Sequence, residues 1–225
     1  MYINKENKLN FSKEKEKLIS QLIEKGITDI RILNAIKKIP REIFIPEEYL
    51  EHAYDDGALP IGYGQTISQP YTVAFMTEIL DIKNDMKVLE IGTGSGYHAC
   101  ILCELGADVY SIERIPELYE MAKRNFEKLG YTVHQKLGDG SIGWEKYAPF
   151  DRIIVPASAP RIPSMLIRQL KNGGKMVIPI GDREIQTMHL VTRCDETQYM
   201  DRKLQTFKFV PLIGLGGWEE SNSKN

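Results

Sequence analysis

Apolar residues Leu18, Ile19, Leu22 and Ile23 recur at helical spacing, which predicts a helix over residues 12–25 stopped by Gly26. Ile32, Leu33 and Ile36 predict a second helix, capped by Thr28 or Asp29 and ending near Pro40. Residues 41–46 form a connector between prolines, and residues 1–11 read as loosely ordered. From residue 85 onward the pattern alternates. The apolar run at 88–91 predicts a strand buried in a parallel sheet, and further strands are predicted at 108–113, 132–137 and 151–155. Helices are predicted at 96–105, at 116–129 closed by Gly130, and at 163–170. Gly173-Gly174 then turns into a strand over 175–180. The alternation predicts an α/β fold with a doubly wound, mostly parallel sheet. Two later runs, 187–193 and 205–213, predict an antiparallel hairpin at its edge. Trp218 closes the ordered part, and 219–225 is a polar tail. The expected layout is a single domain over 1–225. It has an N-terminal helical cap at 12–57, a loop and helix at 58–82, the core at 85–181 and C-terminal strands at 185–218.

Composition narrows the partners. A chain of 225 residues can bury a substantial core. Its 29 basic and 31 acidic residues are near balance, which implies no strong field for nucleic acid or membrane. The polar start is unlike a signal peptide, and no apolar run approaches the roughly 20 residues that span a bilayer. A soluble cytoplasmic protein is expected, with no nucleic-acid or membrane partner. Three cysteines, an odd count, do not make a disulfide framework. Cys100 and Cys103 lie inside a predicted helix and read as core packing; Cys194 lies apart. His52, His98, His134 and His189 are scattered, so neither a metal site nor a triad is indicated.

Candidate chemistry sits at the carboxyl ends of the predicted strands, where ligands of doubly wound sheets bind. Strand 88–91 runs into Gly92-Thr93-Gly94-Ser95-Gly96. Glycine admits positive φ and lets a ligand approach the backbone. The spacing is Gly-x-Gly-x-Gly, whereas a dinucleotide fingerprint is Gly-x-Gly-x-x-Gly. Glu90 beside the loop would repel a pyrophosphate and suit a ligand carrying ammonium or sulfonium, as S-adenosylmethionine does. Taken alone, the stretch fits that ligand, NAD, or a plain strand–turn–helix bend. Glu113 ends the next strand, about 20 residues on, where an acid grips a ribose diol. Asp139, in Gly138-Asp139-Gly140, can accept from an adenine amino group or simply make an Asp-Gly turn. Ser68, just before Pro70, reads as a helix N-cap and also as a hydroxyl at the ligand mouth.

From Ile39 to Trp218 the chain resembles the protein-L-isoaspartate O-methyltransferase family. The most specific match is Ala58-Leu59-Pro60-Ile61-Gly62-Tyr63-Gly64-Gln65-Thr66-Ile67-Ser68-Gln69-Pro70-Tyr71; residues 88–96, 138–140, 148–151, 157–160 and 209–214 also match. Pro156, where the family more often has threonine, and Gly216-Gly217-Trp218 depart from the pattern. The resemblance implies S-adenosyl-L-methionine as methyl donor and S-adenosyl-L-homocysteine as product. The acceptor would be the α-carboxylate of isoaspartyl residues in damaged proteins and peptides. The methyl ester then closes to a succinimide that opens partly to aspartate. By the same resemblance Ser68 is the active-site serine. Gln65, Thr66, Ile67, Glu90, Gly92, Gly94, Gly96, Glu113, Asp139 and Gly140 are then expected at the cofactor. A carboxylate is ionised at pH 7 and the sulfonium is already activated, so positioning is the main demand. The competing expectations are a methyltransferase for RNA or a small carboxylic acid, a non-catalytic cofactor-binding module, and an NAD-dependent dehydrogenase. A monomer or small homo-oligomer is expected.

Overall fold

The computed structural model describes residues 11–219. The expectations for 1–10 and 220–225 lie outside the described residues. The centre is a seven-stranded sheet built from β3 (Lys87–Ile91), β4 (Asp108–Glu113), β5 (His134–Leu137), β6 (Phe150–Ile154), β7 (Leu170–Gly181), β8 (Gln186–Arg193) and β9 (Tyr199–Phe207). Its order is β5-β4-β3-β6-β7-β8-β9. The first five strands in that order are parallel, and β8 pairs antiparallel with both β7 and β9. The order reverses between β3 and β6, so a crevice opens beside the carboxyl end of β3. Val88, Leu89 and Ile91 are wholly buried there, as their continuous apolar run requires.

Helices cover both faces: α3 (Pro70–Leu80), α4 (Tyr97–Glu104), α5 (Pro116–Leu129) and α6 (Ser164–Arg168). The N-terminal cap holds α1 (Ser12–Glu24) and α2 (Ile30–Lys38). Leu18 and Leu22 are buried, whereas Ile23 is 53% exposed, so the inward stripe of α1 is narrower than the apolar spacing suggests. Asp29, not Thr28, caps α2 by accepting from Arg31 N at 2.9 Å. The cap meets the core through Arg41, whose buried guanidinium lies 4.9 Å from the centre of the Tyr97 ring at the start of α4.

Four sequence-based expectations need correction. Ser68 is not the N-cap of α3; Gln69 holds that place and no side chain of its own caps the helix. Pro70 has no N–H, so the next amide to satisfy is Tyr71 N, and it donates to Asp56 Oδ1 at 2.8 Å. Gln69 Nε2 also donates to Asp56 Oδ2 at 3.1 Å. Second, the stretch before α3 is not all loop: β1 (Leu59–Gly62) and β2 (Gln65–Ile67) form an antiparallel hairpin. Its two-residue turn, Tyr63-Gly64, has φ of 54° and 68°, the twist that two-residue hairpins favour. Third, α6 is only five residues long, and β7 starts at Leu170 and runs through both glycines, with a register shift against β6. Fourth, the last strand is Tyr199–Phe207, not 205–213. Beyond it the chain leaves the sheet, because Val210 O and Leu212 N bond Ser158 N and O at 2.8 and 2.7 Å.

Candidate active site

Three glycines follow β3, and each has a different reason to be there. Gly92, Gly94 and Gly96 have φ of 98°, 56° and 91°, all costly for a residue with a side chain. A Cβ on Gly92 would stand in open space, at the cavity wall. One on Gly94 would touch Ile61 Cδ1 at 3.5 Å. One on Gly96 would lie 2.7 Å from Phe126 Cε1, so Gly96 is needed for packing against α5. The three glycine amides also face inward. Gly92 N donates to Ile112 O, Gly94 N to Glu113 Oε2 and Gly96 N to Thr93 O, at 2.8, 2.8 and 2.9 Å. With those donors spent inside the fold, the loop is poorly suited to cradle a phosphate.

Glu113 ties two loops together. While Oε2 holds Gly94 N, Oε1 accepts from Arg114 N and Ile115 N at 2.8 and 2.9 Å. Glu90 is wholly buried. Its Oε2 accepts from Ser111 Oγ at 2.5 Å, and Ser111 Oγ lies 2.6 Å from Thr93 Oγ1. Oε1 has no partner. Burial first, and then the like charge of Glu113, raise this carboxyl to about 8 against the lowering effect of Ser111.

These groups surround a cavity whose space, counted with the open solvent at its mouth, is about 850 Å³. Of the expected residues, Gln65, Thr66, Ile67, Ser68, Glu90, Gly92, Gly94, Glu113 and Gly140 line it. Gly96 stands behind the wall. Asp139 is also outside it: its Oδ1 accepts from Ser141 N and Oγ at 2.8 and 2.6 Å, and its Oδ2 from Leu215 N at 2.9 Å. The wall includes two features that sequence reasoning left out. One is the segment from Val210 to Ile213. The other is His98. Thr77 Oγ1 donates its single proton to Val73 O at 2.7 Å, so at 2.9 Å it accepts from His98 Nε2. The network thus assigns the ring proton to Nε2. Burial pushes the imidazole down to about 3, so it stays neutral. A lone histidine flanked by Tyr97 and Ala99 carries no spacing signal that would have found it.

A second groove, about 740 Å³, opens alongside. Tyr71, Gln205, Phe207 and Phe209 line it. Thr66, Ser68, Pro156 and Val210 line both spaces, which places Ser68 at their junction. Among the described residues no group of three His, Cys, Asp or Glu side chains is placed to hold a metal ion. Cys100 is buried, and burial raises both its thiol and that of Cys103, the latter to about 12, as core packing requires. No described helix is long and apolar enough to cross a membrane.

The sequence and the architecture have close counterparts. Residues 13–216 match the model of the family described as Protein-L-isoaspartate(D-aspartate) O-methyltransferase. A protein-L-isoaspartate O-methyltransferase of Dictyoglomus thermophilum is 52% identical over 93% of this chain and 96% of its own. One from Hyperthermus butylicus is 48% identical over 93% of this chain and 92% of its own. A solved protein-L-isoaspartate O-methyltransferase superposes with a TM-score of 0.83 at 32% identity, over 90% of this chain and 67% of that one. A Plasmodium falciparum structure described as a putative member, in complex with S-adenosyl-L-homocysteine, gives 0.76 at 25% identity, over 88% and 98%.

Proposed function

The chain belongs to the protein-L-isoaspartate(D-aspartate) O-methyltransferase family, and from that premise we propose how its own residues perform the reaction. The protein is an S-adenosyl-L-methionine-dependent repair enzyme that methylates the α-carboxylate of L-isoaspartyl residues in damaged proteins and peptides. The residues present fit that donor. The cavity wall holds a buried acid with one unpartnered oxygen, suited to a cation, and a glycine loop whose three glycine amides are engaged elsewhere. When bound, the donor supplies a methyl group on an activated sulfur.

The chain's part is placement. Glu113 fixes the glycine loop and the start of the following loop as one unit. On β2, Thr66 lines both donor cavity and acceptor groove, while Gln65 and Ile67 line the donor cavity. Gly92 and Gly94 let the donor lie close to the backbone, and Gly140 is needed for packing, since its Cβ would lie 2.6 Å from Ile91 Cγ2. Gly96 supports that loop from behind. Asp139 fixes the turn beside Gly140 and the closing segment at Leu215. Ser68, free of capping duty, orients the acceptor carboxylate by donating its hydroxyl proton to one carboxylate oxygen. The carboxylate is already ionised at neutral pH, so Ser68 acts as neither base nor covalent nucleophile.

The observation that carries this proposal is the position of Ser68 between the two spaces. The test compares one peptide in isoaspartyl and aspartyl versions with labelled methyl donor. Base-labile label is expected in the isoaspartyl version alone. Equal labelling of both, or none, would overturn the assignment.

A further inference from the structure

Glu90 raises a question that binding alone does not answer. It ends in the wall of the donor cavity, wholly buried, with Oε1 unpartnered. An uncompensated buried carboxylate is costly and takes up a proton instead. The groups that face it offer no relief. Glu113 on β4 carries the same charge. Cys100 and Cys103 on α4 are held as thiols by burial, and His98 on the same helix is held neutral. Burial and the like charge of Glu113 keep the proton on the carboxyl, against the Ser111 hydroxyl. Arg114 lines the same cavity, and its charge is not among the groups that shift Glu90. The hydrogen-bonded chain Thr93–Ser111–Glu90 suits either charge, since both hydroxyls can turn without moving a heavy atom.

We propose that Glu90 carries a proton in the ligand-free protein and releases it to solvent when the positively charged methyl donor enters, so that donor binding is coupled to deprotonation of this side chain. The proposal rests on the donor assignment above. The O–H bond of the Glu90 carboxyl breaks, the proton goes to buffer, and the carboxylate left behind is balanced by the donor's positive charge. The titration lies near pH 8 in the ligand-free protein. Donor affinity therefore rises with pH below that value, by up to about tenfold per unit. The same shift acts on folding. The folded value lies above the unfolded one, so folding takes up a proton between about pH 4.5 and 8. The stability contributed by the buried neutral acid is full below that window and is lost as pH rises through 8.

The test is calorimetry of S-adenosyl-L-methionine binding to the whole protein at pH 6.5, in buffers of different ionisation enthalpy. At that pH the donor's own amine stays charged. The wild type is expected to release close to one proton per donor bound. Glu90→Gln, which mimics the neutral acid, is expected to bind more weakly and release essentially none. Ser111→Ala keeps the acid but removes the bond that favours its ionised form, so it should bind the donor more weakly at pH 6.5 while still releasing a proton. It serves if the Glu90→Gln protein folds poorly, and donor binding by it without proton release would overturn the coupling. Donor binding by the wild type with no proton release, or equal release by Glu90→Gln, would overturn this coupling and leave the methyltransferase assignment standing. Absence of any donor binding would overturn the assignment itself.

Discussion

The two spaces that meet at Ser68 are built in opposite ways. The donor cavity is backed by the carboxyl ends of β3 and β4, which are consecutive in sequence and paired in register. Its loops are pinned by short bonds from Glu113 and by the fit of Gly96 against Phe126. The acceptor groove is assembled from distant segments: the hairpin and start of α3 on one side, and the end of β9 with residues 208–210 on the other. Gln205 Nε2 reaches Tyr71 OH at 2.8 Å across 134 residues of chain. Rings bridge the same gap, with Tyr71 and Phe207 stacked at 6.4 Å and Phe75 5.4 Å from Phe207. A rigid cavity suits a small ligand of constant shape. A groove of adjustable side chains suits acceptors that share one damaged residue in varied surroundings.

The sharpest way to break the comparison is Gly96→Val. Left-handed strain costs on the order of 1–2 kcal/mol and overpacking against Phe126 roughly 1–3 kcal/mol more. Urea unfolding should show that loss, and calorimetry should show donor affinity collapsing with it. A smaller effect is expected from Asp56→Ala, on the groove side. Asp56 holds Tyr71 N, the Gln69 amide and Lys25, the last at 2.5 Å. Its removal should cost about 1–2 kcal/mol of stability and raise the peptide KM several-fold. Donor affinity should stay unchanged. If Asp56→Ala weakened the donor as much as the peptide, the two spaces would not be separable.

Much of the core was legible because consecutive strands and helices each bury one stretch of sequence. Residues 108–113 and 116–129 form their elements as expected. What was hidden depends on partners far along the chain. The Ser-x-Pro pattern signals a cap, yet Asp56 supplies it from 15 residues before Tyr71. The hairpin at 59–67 contains Pro60, Gly62 and Gly64, residues that normally interrupt strands, so it read as loop. Most of β9 is exposed on both faces, as an edge strand can be, and so carries no apolar period. Of the expected site residues, the acid at Glu90 was anticipated as a fixed negative charge. Its buried place in the strand was expected, but the lack of a partner for Oε1 was not, and together they make it a group that holds its proton until a cation is near.

The division of labour is tested most directly by Ser68→Ala, measuring donor affinity by calorimetry and turnover of an isoaspartyl peptide in the same preparation. Ser68 touches both spaces and caps no helix, so its loss should spare the fold. Donor affinity is expected to stay within about twofold while turnover falls on the order of tenfold to a hundredfold, the cost of losing orientation at the acceptor. Undiminished turnover, or donor affinity falling in step with turnover, would contradict the placement of Ser68 as the group that presents the acceptor to the donor.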